Sequence, residues 1–248
     1  NDKNEFNKPG LNLDMKVLLD VKSVLEDMLK KARINKNKQF TSWTEYCLTL
    51  KKDYPIVTSN LASNPINSYF LVSRLAALSN KKQHFVSDAG SSYYVTGQVL
   101  DYAFGQKDIT SGSFATMGAA IPMAIGASCY DKDAQIIVVT GDGSLELNIQ
   151  ELKTVSQNNL NIKIFVINNG GYASIRESQD EYSEGRYTED EDILDFSKVA
   201  NAFEMNYEII DDYLTIDEQI NKVTSNSNPT LIEVVCERDQ KIFGPEVI

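Results

Sequence analysis

One histidine and three cysteines in 248 residues leave little material for soft-metal or thiol chemistry. The histidine, His84, opens an apolar run with no Cys or second His beside it. Zinc asks for three or four nitrogen and sulfur ligands, so His84 is read as structural. A Ser-His-Asp triad would need the same His84, and no serine sits in a GxSxG setting, which argues against a serine hydrolase. Cys47, Cys129 and Cys236 are far apart and form no CxxC pair; they are expected to be reduced core thiols. No stretch approaches the roughly 18 consecutive apolar residues of a membrane span, and no basic-then-apolar leader opens the sequence, so a cytoplasmic protein with no membrane partner is expected. Positive charge is also in short supply, with 24 Lys and Arg against 35 Asp and Glu and a net charge of −11. Duplex binding depends on clustered cations, so nucleic acid is not an expected partner.

What is present is a globular composition, 42% hydrophobic and 24% charged, enough for one large α/β domain or one domain plus a further piece. The polar opening with Pro9 and Gly10 reads as a segment cut from something longer. From Met15 to Met28, Val17, Leu18, Val21, Val24, Leu25 and Met28 recur at three and four residues, the pattern of a helix with one buried face. A basic and polar stretch over 31–42 follows, then a short helix over 43–50. Asn64-Pro65 is read as an N-cap followed by proline at the first helical position, which predicts a helix over 65–79. These features divide the chain into residues 1–35, a linker with a short helix over 36–60, and a main domain over 61–248.

In the main domain short apolar strands alternate with helices. Strands are expected at 84–87, 135–140, 162–168, 207–210 and 230–236, and helices at 117–129, 145–158, 193–203 and 216–223. Runs such as QIIVVT and IKIFVIN are apolar at every position, which predicts an α/β fold with a parallel sheet covered by helices on both faces. Ligands on such sheets lie beyond the carboxyl ends of the strands, so the loops after Thr140 and Asn168 carry the chemistry.

The first loop is Gly141-Asp142-Gly143-Ser144, placed between a strand and a helix. Glycines let the backbone turn and approach a ligand, and helix N-terminal amides favour an anion such as phosphate. A carboxylate in the middle of that turn would repel a phosphate unless a cation lay between them, which points to a divalent metal bridging Asp142 and a diphosphate. The second loop, Asn168-Asn169-Gly170-Gly171-Tyr172, follows the neighbouring strand. An amide oxygen from Asn169 and a main-chain carbonyl from Gly171 would complete three protein oxygens, suited to magnesium and poorly suited to zinc or copper. A GxGxxG loop fails at Glu146, and no lysine follows the turn as a Walker loop requires.

GDGS followed by NNGGY resembles the cofactor signature of thiamine-diphosphate enzymes, and SGSFATMGAAIPMAIGAS over 111–128 resembles a stretch of the acetolactate synthase-like members. The resemblance implies the thiamine diphosphate-binding fold, with thiamine diphosphate and Mg2+ as cofactors. It implies metal ligation by Asp142, Asn169 and Gly171. It further implies cofactor contacts from Gly90 and Ser91 in VSDAGSS, from Met117 as the apolar prop under the cofactor rings, and from Gly141, Gly143, Ser144, Tyr172 and Ala173. Residues 1–35 resemble the tail of the family's middle domain.

What the family does is implied in the same way: decarboxylation of a 2-oxo acid and addition of the bound carbanion to a second carbonyl, in a homodimer or homotetramer. The family's activating glutamate lies on a pyrimidine-binding domain to which no residue here corresponds, so no catalytic residue is assigned and the chain is expected to be inactive alone. Pyruvate decarboxylase-like members carry a glutamate where Ile175 stands, which favours the carboligase branch; a decarboxylase and a non-catalytic binding or regulatory protein of the same fold are the alternatives. Nine acids over 177–195 (Glu177, Asp180, Glu181, Glu184, Glu189, Asp190, Glu191, Asp192 and Asp195) read either as a solvated loop or as a lid. Arg176 and Arg186 are either inward-facing substrate contacts or surface partners of those acids.

Overall fold

The structure, a computed structural model, describes residues 2–31, 40–80, 82–187 and 194–243. It divides into two compact units, Asn1–Asp53 and Tyr54–Ile248. The first holds a short 3-10 turn and two helices, α1 (Val21–Lys31) and α2 (Thr41–Asp53), neither with a buried residue. The helix expected to begin at Met15 begins at Val21, because the Asp20 carboxylate accepts the Lys22 N–H at 2.9 Å and caps it there. Its apolar stripe, expected to be buried, is exposed at Val21, Leu25 and Met28. Residues 32–39, which span the end of the expected 1–35 segment and the start of the expected linker, lie outside the described residues.

The second unit runs α3 (Ser68–Leu78), β1 (Gln83–Ser87), α4 (Ser91–Val99), β2 (Asp108–Ile109), α5 (Ala120–Tyr130), β3 (Gln135–Gly141), α6 (Asp142–Glu146), α7 (Leu152–Gln157), β4 (Ile162–Asn168), α8 (Ala173–Tyr182), α9 (Phe196–Ala202), β5 (Asn206–Ile210), α10 (Ile216–Thr224) and β6 (Thr230–Val235). The strands form one sheet in the order β2-β1-β3-β4-β6-β5, all pairs parallel. Successive side chains on a strand point to opposite faces. In β3, Ile137 and Val139 join the core under α3, α4 and α10, while Ile136 and Val138 join the core under α5, α7 and α9. Burial on both faces is why these strands read as unbroken apolar runs. No helix among the described residues is long and apolar enough to cross a membrane.

Several boundaries differ from expectation for local reasons. Asn67, not Asn64, caps α3, its side chain accepting the Tyr69 N–H, because Ile66 is held extended by bridging Cys236 at the end of β6. The helix expected over 117–129 starts at Ala120, since Gly118 has φ +78 and the cap comes from a distant residue, Asp88, whose carboxylate accepts the Gly118 and Ala120 N–H groups. The helix expected over 145–158 is two helices separated by a 3-10 turn at Ile149–Glu151. It breaks where Asn148 (φ −136) turns to donate its side-chain amide to the Gly118 carbonyl at 2.9 Å. The start of the helix expected at 193 lies outside the described residues, and Asp195 caps α9. Only Cys236 is buried; Cys47 and Cys129 are exposed, which corrects the reading of all three as core thiols. His84 is buried, with Nε2 3.2 Å from Asp131, towards the end of β1 remote from its C-terminal loop.

Candidate functional site

Parallel pairing in register, with Thr140 opposite Val166 and Gly141 opposite Ile167, brings the loops after β3 and β4 side by side. The loop after β1 joins them, since Ser87 pairs with Val139. A cavity opens at this carboxyl edge. Gly90, Ser91, Met117, Gly141, Asp142, Gly143, Ser144, Asn169, Gly171, Tyr172 and Ala173, the residues singled out in the sequence, all line it.

Asp142 is the electrostatic centre. Only 1% of it is exposed. Its Oδ1 accepts the Gly143 N–H at 2.7 Å and its Oδ2 accepts those of Asn169 at 3.1 Å and Gly171 at 2.9 Å. Burial pushes its carboxyl above the ordinary carboxylate range, while these main-chain donors pull the other way. No ion pair to Asp142 occurs among the described residues. Asn169 lines the same cavity and its side chain makes no hydrogen bond to another described residue, and the Gly171 carbonyl accepts the Ala173 N–H at 3.0 Å, which leaves its second lone pair.

The helices α4, α6 and α8 all begin at this cavity, and none has a side-chain hydrogen bond at its N-cap. Uncapped N-terminal N–H groups seek an acceptor, and the helix end favours negative charge. Ser91 at the start of α4 and Ser174 in α8 face each other with their hydroxyls 3.3 Å apart. An anion with several oxygens fits this rim. Beside it the donor set of Asp142, Asn169 and Gly171 is all oxygen, suited to a hard divalent cation. Among the described residues no three His, Cys, Asp or Glu side chains gather to hold a metal, so a cation at Asp142 would take further ligands from the anion or from water.

Comparison with protein-family models matches residues 88–234 to the thiamine pyrophosphate enzyme, C-terminal TPP binding domain. The chain belongs to this family. Among relatives, it is 26% identical over 242 residues to the acetolactate synthase of Mycobacterium leprae, covering 93% of this chain and 38% of that protein. It is 26% identical over 203 residues to the acetolactate synthase isozyme 1 large subunit of Escherichia coli, covering 81% of this chain and 36% of the relative. With the large subunit from Buchnera aphidicola subsp. Schizaphis graminum the identity is 30% over 197 residues, covering 78% and 34%. The chain thus spans little more than a third of the length of these relatives.

In this thiamine diphosphate-binding domain the two glycines of GDGS have different surroundings. Gly141 is extended, with φ −81, and a Cβ there would meet nothing within 4 Å. A Cβ on Gly143 would lie 2.4 Å from Cε1 of Tyr172, so Gly143 makes room for the tyrosine ring at the cavity wall. Residues absent from the sequence reading of the site also belong to the domain's architecture. Asp88, 1% exposed, holds Gly118, Ala120 and Ala89 by their N–H groups and accepts the Thr140 hydroxyl at 3.1 Å, tying the Met117 loop to β1 and β3. Its carboxyl is raised by burial and lowered by those donors. The signal for it was visible: an acid directly after an apolar strand, next to the chosen Gly90. Ser174 sits one residue beyond the chosen NNGGYA run.

Arg176 matches neither expectation. It is buried, absent from the cavity wall, and hydrogen-bonded to main-chain carbonyls. Arg186 pairs with Asp180 at 2.7 Å on the surface. Part of the acidic run is helical, in α8, rather than loop, and Glu189 to Asp192 lie outside the described residues.

Proposed function

We propose that this domain holds the diphosphate of its cofactor through Mg2+, bound by the Asp142 carboxylate, the Asn169 amide oxygen and the Gly171 carbonyl, within an acetolactate synthase-like enzyme. The observation that carries this is a fully buried carboxylate with only N–H partners, set at the start of α6 beside the uncapped N-termini of α4 and α8, which attract an anion. A divalent cation held by the carboxylate would offset its repulsion of a diphosphate there. When bound, thiamine diphosphate supplies an electron sink for cleavage next to the carbonyl of a 2-oxo acid.

The chain's own residues bind and orient. Gly90, Ser91, Gly141, Gly143, Ser144 and Ala173 line the cavity and would border the diphosphate, with Ser174 beside them. Met117 lines the cavity where a prop for the rings would stand, its loop fixed by the Asp88 bonds to Gly118 and Ala120. Tyr172, packed on Gly143, closes one wall against water. Ile175, in the same wall, offers no proton at the place where decarboxylases of the family carry an acid, which supports transfer of the two-carbon unit to a second carbonyl.

The reading assigns residues 61–248 to the cofactor domain, 36–60 to a linker and 1–35 to the tail of a middle domain; the division at Asp53 and Tyr54 supports a boundary in that region. The activating carboxylate would come from a pyrimidine-binding domain outside this sequence, in a cytoplasmic homodimer or homotetramer, and the chain alone would not turn over. Titration calorimetry with thiamine diphosphate and MgCl2 tests the site. Asp142→Ala should weaken binding by about a hundredfold, the upper range for losing support of a metal. Equal affinity in the variant would overturn the metal assignment.

A further inference from the structure

Arg176 is among the largest fully buried side chains, and its charge is met mainly by main-chain oxygen. Its Nη1 donates to the Gly170 carbonyl at 2.7 Å and its Nη2 to the carbonyls of Asn169 at 3.0 Å and Arg238 at 2.6 Å. Its Nε donates to Asp239 at 3.3 Å, a half-exposed carboxylate that Arg186 also reaches at 3.4 Å. The Arg238 guanidinium adds a bond to the Gly170 carbonyl at 3.3 Å.

Two of those carbonyls belong to peptide units whose other ends matter. The Asn169 carbonyl shares its plane with the Gly170 N–H, and the Gly170 carbonyl with the Gly171 N–H. The described cis bond is elsewhere, at Asn64-Pro65, so these units are trans. In a trans peptide the C=O and N–H point in opposite directions. With both carbonyls aimed at Arg176, both N–H groups aim away from it, towards Asp142. Gly171 donates to Asp142 at 2.9 Å, which fixes that direction for the second unit; the Gly170 N–H, on the first, makes no hydrogen bond to the carboxylate among the described residues but is turned to the same side. The preceding unit continues the series: its carbonyl, Asn168, accepts the Cys236 N–H at 2.8 Å and its N–H, Asn169, reaches Asp142.

We propose that Arg176 is a positioning residue for Asp142. A buried cation and a buried anion sit on opposite sides of two peptide units, each dipole lying with its negative end on the guanidinium and its positive end on the carboxylate. Arg176 thereby fixes the Asn169 to Gly171 loop in the orientation that holds Asp142 and lines the cavity. The consequence for cation binding rests on the function proposed above; the coupling of Arg176 to Asp142 does not.

The test uses the full chain with Arg176→Ala and Arg176→Lys, each alone and combined with Asp142→Asn, read by urea unfolding and by calorimetry with thiamine diphosphate and MgCl2. Arg176→Ala should lower the unfolding constant's margin strongly in the parent and about fivefold less in the Asp142→Asn background, the signature of coupled residues. Cofactor affinity should fall about tenfold to a hundredfold. Millimolar guanidinium should restore part of it to Arg176→Ala and none to Asp142→Ala. Should Arg176→Ala fail to fold, Arg176→Lys carries the same comparison with a smaller loss, since one ammonium cannot reach all the carbonyls at once. Effects that simply add between the two sites, or unchanged affinity with no guanidinium response, would overturn the proposal. A parent chain that binds no cofactor but retains the stability coupling would sink the metal reading and leave the Arg176 link standing.

Discussion

Replacing Gly143 by alanine adds a single methyl group at a tightly packed point of the site. That methyl would stand 2.4 Å from Cε1, 2.9 Å from Cζ and 3.0 Å from Cδ1 of Tyr172. All three are atoms of one rigid ring, so no torsion at the tip of a side chain relieves the contact; the whole ring must move. Its escape is limited on one side by the start of α8, whose cap is Tyr172 itself, and open on the other towards the cavity. Overpacking of this kind costs about 1–3 kcal/mol. For a unit of this size each kcal/mol lowers the melting temperature by about 2–4 °C, so calorimetric melting should fall by about 2–12 °C. A ring swung into the cavity would also weaken thiamine diphosphate binding. The decisive comparison repeats Gly143→Ala in the Tyr172→Ala background, where the methyl meets no ring and its cost should drop below about 0.5 kcal/mol. An equal cost in both backgrounds would refute the packing argument.

Two other sites give expectations of different kinds. Asp88→Ala strips the acceptor from three N–H groups and the Thr140 hydroxyl at once, and urea unfolding should report a loss of about 3–5 kcal/mol, with Asp88→Asn losing less than half of that. Equal losses would mean that shape, not the number of accepted bonds, holds the Met117 loop. Lys163 tests linkage at the far end of the sheet. Burial pushes its ammonium down from 10.5 to about 8, and it is held by Asn226 at 3.2 Å and by the Asn228 carbonyl. Between those pH values the unfolded chain keeps the proton that the native chain has released, so stability rises with pH. The difference in unfolding free energy between the parent and Lys163→Met should be level below pH 7 and climb from about pH 8 to 10; a level difference throughout would show that Lys163 titrates normally.

What could be read from the sequence follows the range over which each signal acts. QIIVVT and IKIFVIN announce strands because a strand buried on both faces needs apolar residues at every position, a condition local to six or seven residues. The two loops after them are equally local, and their residues meet at one cavity because parallel neighbours end together. Elements that depend on distant partners were not legible. SSYYVTGQV looks a poor helix by propensity, yet forms α4 because Val95 packs into the sheet core. The start of α5 is set by Asp88, and the break before α7 by Asn148 reaching Gly118; neither contact leaves a mark within one helical turn. Arg176 was visible as a charge but its partners are carbonyls, and carbonyls have no sequence.

The two exposed thiols, first a correction to a core assignment, give the chain its own labelling sites. Cys47 lies in the unit ending at Asp53 and Cys129 in the unit beginning at Tyr54, while Cys236 is buried and shielded from reagent. Spin labels attached to the native protein would therefore mark each unit once and leave the buried Cys236 untouched, with no engineered cysteine needed.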